Sequence, residues 1–538
     1  MAADAGRAPR AAALGENRLV VTGHPLSSIA ALMALRAGGS AADAFVVATA
    51  LDCVLVPGTS SLAGTLRLLV HDQEAAPPQT WALNAGLSVP VDELDEYDHA
   101  RDGQTGRAVL VPGVVAGLDA LWRRFGRLPW AELWEPAAYY AREGFLLDSS
   151  FIANMSRRQA VLLSRPEGRA IFAPDGRLPA HGSRFRQAAL ASTVAEIQAR
   201  GAGAFYQGPW AEHFVEAVGA LGGRTRSEDL ATYEPIWQPA LRGSYLGFEI
   251  RTTHPPHNGG AHILAALAVA EKLELHRRAP RRDSGQTLYH EIRAITAALS
   301  ETAFDLDPSD ASPRELDAYQ YALSSAWAAE RADQIRSASA AAVAPAPPLG
   351  SQNVIIRDDS GSVVVGIHTI HSDSWGDTGL IVDGVALNSS AHRLQLRRPR
   401  PGGRVTEPGS VFLALREGGA VLASGAHNKA GPQAEFQNLI NVLGRGASLE
   451  ESVNSRRFGF FAGDHPLPWR AEYAHGRAVD VEDFPAPTLQ ELADLGQPWR
   501  RREVNMPLDV GFWYGIDLRA GQRTGVADPR RLGLALAE

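Results

Sequence analysis

The periodicity of this chain changes at one point, and that change limits what it can fold into. Up to about residue 336 most apolar residues recur at helical spacing, whereas after Ser351 they gather into short β-prone runs. Between the two lies the Ala- and Pro-rich segment 337–350, ending Pro345-Ala346-Pro347-Pro348-Leu349-Gly350. The text then reads Ser351-Gln352-Asn353-Val354-Ile355-Ile356-Arg357-Asp358, a half-apolar strand that opens on a hydroxyl. A self-cleaving precursor would present a nucleophile in this way. Were the bond before Ser351 cut, one residue would supply both the hydroxyl and an α-amine, whose reference pKa of about 7.7 to 8.0 suits it to take a proton near neutrality. Gly-Ser after prolines is also ordinary linker text, so the junction alone leaves both readings open.

A chain of 538 residues can bury a large core without staples. The single cysteine, Cys53, excludes an internal disulfide and sits in the apolar run 46–56 as a small core residue. Residues 1–17 alternate Ala, Gly, Arg and Glu without an apolar stretch of signal-peptide length, which points to a cytoplasmic protein. No uncharged apolar run reaches the roughly 18 residues of a membrane span. The net charge of −8 argues against nonspecific nucleic-acid binding, and the basic clusters 277–282 and 397–404 contain Pro and no aromatic residue, as solvated loops do.

Small and apolar residues at helical spacing predict a helix from Leu26, a stop at Gly38-Gly39, and a second helix capped by Ser40 with Asp43 in its first turn. Further helices are expected at 114–125, 130–143, 188–200, 211–221, 261 onward, 286–303 and 314–336, with a turn at 201–208. Strands are expected at 66–71 and 245–253 and, after the junction, at 354–357, 361–370, 379–387, 410–415 and 419–424, before helices return at 432–444 and 449–456. Two sheets with helices outside suit that order, and so does one mixed sheet.

Three polar concentrations follow apolar runs, which is how a rigid element aims a loop at a site. In His368-Thr369-Ile370-His371-Ser372-Asp373 a strand's period places Thr369, His371 and Asp373 on one face and His368 on the other. That face can touch substrate, or be a satisfied polar strand end. A metal would need a third ligand that the spacing does not supply, and no metal or cofactor is expected. The others are 388–392, Asn-Ser-Ser-Ala-His, and 424–431, whose backbone N–H groups suit a developing oxyanion as well as they suit a strand-to-helix turn. The chain has no G-x-S-x-G, P-loop or H-E-x-x-H text.

Several separated pieces together resemble the γ-glutamyltranspeptidase family of N-terminal nucleophile hydrolases. They are His24-Pro25-Leu26, residues 38–44 (GGSAADA), 111–118 (VPGVVAGL), 125–130 (FGRLPW), 204–208 (AFYQG), 241–243 (LRG), 255–260 (PPHNGG) and 527–530 (ADPR). The resemblance spans roughly residues 20 to 531 and implies an α+β fold, the four-layer αββα sandwich, made as a precursor. It divides the chain into a large-subunit-like region, 1–350, and a small-subunit-like region, 351–538.

The family's nucleophilic threonine falls on Ser351, which keeps the hydroxyl, and its supporting threonine falls on Thr369. Its oxyanion glycine pair falls on Asn428-Lys429, and a substrate-contacting asparagine on His371. The arginine that grips the substrate α-carboxylate falls on Asn84 and the aspartate that meets the α-amine on His392, while a serine pair lining the donor site falls on or beside Glu407-Pro408. Losing Arg removes a charge-assisted clamp, and His for Asp removes a negative charge.

The expectation is therefore a self-cleaving serine amidohydrolase or acylase acting on a small non-γ-glutamyl amide. Its partners would be that substrate and the two fragments of its own precursor, with no nucleic acid and no membrane. Two alternatives stand beside it: γ-glutamyl hydrolysis or transfer in a rebuilt pocket, and an uncleaved, non-catalytic homologue. Substrate identity and oligomeric state are not read from the text.

Overall fold

The computed structural model describes residues 11–337, 351–391, 399–428, 430–460, 478–501, 510–519 and 523–538. The expected linker falls, but for its first residue, outside the described residues. The chain forms two compact units that interleave in sequence, one of residues 17–239 and 350–406, the other of 1–16, 240–349 and 407–538. The expected division at 350/351 is that of a covalent cut, and each unit draws on both sides of that position.

In the first unit, helix Pro25–Arg36 opens on a proline, which costs no backbone hydrogen bond at that position. It ends before Gly38, whose φ of 89° lets the chain reverse. Ser40 then caps helix Ala41–Leu55. Its hydroxyl accepts from the Asp43 N–H at 3.2 Å while Asp43 Oδ2 accepts from the Ser40 N–H at 2.8 Å. The same Asp43 oxygen accepts from the backbone N–H of Arg127 at 2.8 Å and of Leu128 at 3.3 Å. One carboxylate thus ties this helix to the turn between helices Val114–Phe125 and Trp130–Glu143. Every residue of Ala41–Leu55 is buried, as expected of a helix apolar all round.

The antiparallel sheet of this unit runs in the order Leu19–Thr22, Gln352–Arg357, Val363–Thr369, Thr65–Asp72, Gln79–Ala85, Ile236–Pro239. Strand Gln352–Arg357 is wholly buried and hydrogen-bonded on both edges. Helix Ala41–Leu55 packs on one face of it, where a Cβ added to Gly366 would run into the Phe45 ring.

The second unit has its own antiparallel sheet, in the order Ala13–Gly15, Arg523–Val526, Phe512–Asp517, Gly419–His427, Ser410–Arg416, Phe248–Thr252, Leu241–Tyr245. Helices Gly259–Lys272 and Gly431–Leu439 pack on it, and helices Gly285–Leu299 and Ser325–Arg336 join the same core.

Four expected elements divide or change kind. The run 245–253 is a hairpin, because Leu246 (φ 50°) and Gly247 (φ 80°) form a turn that the apolar side chain of Leu246 conceals. Residues 379–387 likewise split into Ile381–Val382 and Val385–Ala386 around Asp383-Gly384. The stretch 314–336 is two helices, Pro313–Ala322 and Ser325–Arg336, since Ser324 caps the second. The turn 201–208 encloses a short helix, Gly203–Gln207.

The Asp43 junction should be costly to remove. In urea unfolding, Ser40→Ala is expected to lose about 1 kcal/mol as a lost cap, and Asp43→Ala about 2–4 kcal/mol because buried N–H groups of two segments are left unpaired. Equal losses for the two would refute the shared role of Asp43.

Candidate active site

Ser351 is 3 % exposed and precedes the central strand, whose ladder starts at the pair Gln352–His368. One more step of that register sets Ser351 opposite Thr369, and directly opposed residues in such a ladder have Cβ atoms about 4.5–5.5 Å apart. Thr369 ends strand Val363–Thr369 and pairs on its other edge with Thr65. It is fully buried. Its Oγ1 accepts from the His371 N–H at 2.9 Å and donates to the Thr59 carbonyl at 3.5 Å, the outer limit of such a contact. The Ile370 N–H donates to the same carbonyl at 3.0 Å. A Cβ at Gly64 would collide with the Thr369 carbonyl oxygen, so the loop that follows helix Ala41–Leu55 wraps the end of this strand closely.

The strand stops at Thr369, so the expected row Thr369, His371, Asp373 does not form. His371 takes φ 63°, a left-handed conformation uncommon for a side chain with Cβ, and is fully buried. Its carbonyl accepts from Ser390 Oγ at 2.9 Å. Asp373 turns outward to Arg157 at 2.7 Å. Burial works to raise its carboxyl, but the Arg157 hydrogen bond and charge, with Arg158 behind, hold it below its ordinary value. The polar run 388–391 is largely structural. Asn388 spends its amide on the backbone of Ala63 and Leu110, and Ser389 accepts from the N–H groups of Asp377 and Thr378. His392 lies outside the described residues.

Asn84 lies buried in strand Gln79–Ala85, and its Oδ1 accepts from the Gly86 N–H at 2.9 Å. Its side chain is thus committed to its own turn. Directly across the ladder stands Arg67, which pairs with Ile367 on the other edge. Opposed residues share a face and alternate residues recur on it, so Arg67, Asn84, Ile367 and Asn353 line the face that carries Ser351 and Thr369. Arg67 is almost completely buried, as is Asn353. Sequence reading missed Arg67, although a lone charge inside the apolar run 66–70 was the available signal.

In the second unit, strand Gly419–His427 extends beyond its expected end and delivers Asn428 at φ 75°. Asn tolerates the left-handed region better than other residues with a Cβ, so it can hold this turn. Lys429 lies outside the described residues. Helix Gly431–Leu439 follows, and Ser424 Oγ donates to the fully buried Glu435. Burial pushes the Glu435 carboxyl up to about 8, against the lowering effect of that bond. Glu407 is buried with its Oε2 3.7 Å from Nδ1 of His257.

The sequence profile of the γ-glutamyltranspeptidase family matches residues 27–537. The chain belongs to the γ-glutamyltranspeptidase family. It is accordingly an enzyme, of the amide hydrolase and acyltransferase kind. Its sequence is 29 % identical over 472 residues to the Acylase ACY 1 proenzyme of Pseudomonas sp. (strain SE83), covering 83 % of each. It is 25 % identical over 535 residues to the Glutathione hydrolase-like YwrD proenzyme of Bacillus subtilis (strain 168), covering 97 % of this chain and 99 % of that one. Cephalosporin acylase from Bacillus halodurans superimposes with a TM-score of 0.84 over 99 % of this chain and 97 % of its own, at 23 % identity. That likeness shows the fold, the αββα class.

Among the described residues no three His, Cys, Asp or Glu side chains cluster to hold a metal ion, and no helix is long and apolar enough to cross a membrane.

Glu435 makes stability pH-dependent in a definite sense. Its folded pKa lies above the unfolded value, so its contribution is present below about pH 4.5 and is lost as pH rises through about 8. Glu435→Gln is expected to flatten the decline between pH 5 and 9 by on the order of 3 kcal/mol in urea unfolding. An unchanged slope would show that Glu435 is not buried in its neutral form.

Proposed function

We propose that this protein is a self-cleaving amidohydrolase or acyltransferase in which Ser351 becomes the N-terminal nucleophile. The observation that carries the reading is the register of the central strand, which sets Ser351 opposite a buried Thr369 within a family of proenzymes. Cleavage before Ser351 frees its α-amine. That amine takes the hydroxyl proton as Oγ attacks the amide carbon, and the proton then passes to the departing amine. Water or an acceptor amine next attacks the ester, releasing the acyl group and returning the proton to Ser351. Thr369 orients the hydroxyl and the amine. The backbone N–H groups of Asn428 and Lys429 serve as oxyanion donors on the strength of the resemblance.

For the acyl group, family membership favours a γ-glutamyl donor held in a rebuilt pocket, ahead of the non-γ-glutamyl amide expected from the sequence. Arg67 supports this reading, because the cross-strand neighbour of Asn84, on the same face, is a buried arginine, the residue type that the missing carboxylate clamp calls for. On the resemblance alone, His371 and His392 are assigned to that pocket. The commitment of Asn84 to Gly86 favours the second reading, an acyl group without an α-carboxylate.

Anilides carrying γ-glutamyl, glutaryl and butyryl groups separate these. Turnover of the γ-glutamyl anilide should exceed that of the butyryl anilide, and Arg67→Gln should lower kcat/KM on the anionic donors by about 100-fold, the worth of a charge-assisted hydrogen bond. Preference for butyryl would favour the second reading. Ser351→Thr should keep turnover and Ser351→Ala should abolish it, whereas an active Ser351→Ala would exclude Ser351 as nucleophile.

A further inference from the structure

On the reverse face of the nucleophile strand Val354 and Ile356 are apolar, as are Gly366, Leu68, Val364 and Val70 across the ladder, and the hydroxyl of Thr22 beside Val354 bonds within its own segment, to the His24 carbonyl and Ser28. The row nearest Ser351 is different: Gln352 stands opposite His368, and both are fully buried. His368 Nε2 lies 3.3 Å from Asp52 Oδ2, close enough for an ion pair but too bent for a good hydrogen bond. Its Nδ1 lies 3.2 Å from Ser60 Oγ. Ser27 Oγ donates to the other Asp52 oxygen at 2.5 Å. Asp52, Ser27 and Ser60 are as deeply buried as His368, and Gln352 holds an amide with no hydrogen-bond partner on either atom.

Such a chain of groups is a poor way to gain stability. Two potential charges taken out of water pay a desolvation cost that their attraction barely returns, and well-packed apolar replacements are often neutral or better. The neighbouring Cys53 registers the charge: burial first, and the Asp52 carboxylate second, push its thiol up. What the network does accomplish is positional. Asp52 belongs to the last turns of helix Ala41–Leu55 and Ser60 to the loop that follows it, so His368 is held from two directions. That same loop supplies the Thr59 carbonyl that receives both the Ile370 N–H and the Thr369 hydroxyl. Thr369 is the next residue after His368, on the opposite face, beside Ser351.

We propose that the Ser27–Asp52–His368–Ser60 chain is a positioning device for Thr369, set behind the strand and touching no substrate. It fixes the loop 57–61 against the strand end and thereby fixes the direction of the Thr369 hydroxyl. The inference rests on Ser351 being the nucleophile. It predicts that breaking the chain slows self-cleavage and acyl transfer while leaving substrate affinity nearly intact, since a displacement of about 1 Å at a reacting group costs up to about 100-fold in rate.

The test uses the full chain in three variants: Asp52→Ala combined with His368→Leu, which keeps total side-chain volume close to the original, Ser60→Ala, and Ser351→Ala. The double variant and Ser60→Ala should keep the thermal unfolding midpoint within a few degrees. Both should cleave about 10- to 100-fold more slowly, and their mature fractions should show lowered kcat on γ-glutamyl p-nitroanilide with KM within about twofold. Wild-type cleavage and kcat in a folded double variant would overturn the positioning role. Should the double variant not fold, Ser60→Ala decides alone, and wild-type rates there would equally overturn it. Ser351→Ala separates the two levels: if it neither cleaves nor turns over, only the network is at issue, and if it does either, the nucleophile reading fails and this inference with it.

Discussion

The strand that begins one residue after Ser351 is hydrogen-bonded along both edges and buried on both faces. Everything proposed for the site depends on that ladder. A chain terminus is normally the least ordered part of a protein. Here a terminus created at Ser351 would be held in register by its first backbone bonds, with Val354 to Arg357 locked to Leu19–Thr22 on one side and Gln352 to Arg357 to Val363–His368 on the other. A nucleophile that serves as its own base needs that rigidity, because both its amine and its hydroxyl must be aimed at once.

From that strand the chemistry separates by face. One face carries Ser351, Thr369, Asn353, Arg67 and Asn84. The other carries Gln352, His368 and, from the packed helix and its loop, Asp52 and Ser60. A strand's two-residue period thus separates the proposed reacting groups from the proposed support, and helix Ala41–Leu55, tied down by Asp43, carries part of that second set.

Much of this was legible in the sequence, and the reasons differ by element. The Ser40–Asp43 cap could be read because capping is local, and helices Val114–Phe125 and Trp130–Glu143 were read to the residue because their apolar spacing is regular. Ser351 was marked by the junction of linker and strand and Thr369 by its polar run, while their roles came from the family resemblance, which the family profile bears out at the level of membership. The hairpin at Leu246-Gly247 was hidden because an apolar residue occupies a left-handed position. The departure of His371 from the strand was hidden for a similar reason, since period-two reasoning assumes that the extended backbone continues. Arg67 and Asp52 each sit alone in apolar text, and His368 opens a polar run that does not reveal its partner. Only pairing across distant segments shows that Arg67 and Asn84, 17 positions apart, share a face and that Asp52 and His368, 316 positions apart, meet, and no local pattern encodes that.

The central claim is that the chain acquires a new terminus at Ser351, and labelling of α-amines tests it most directly. Freshly purified full-length protein is treated with an amine-reactive tag selective for α-amines, digested, and read by mass spectrometry. A tagged peptide beginning at Ser351 is expected in near-equal amount to the tagged peptide beginning at residue 1 or 2. An untagged peptide that spans Gly350-Ser351 at full yield would contradict it.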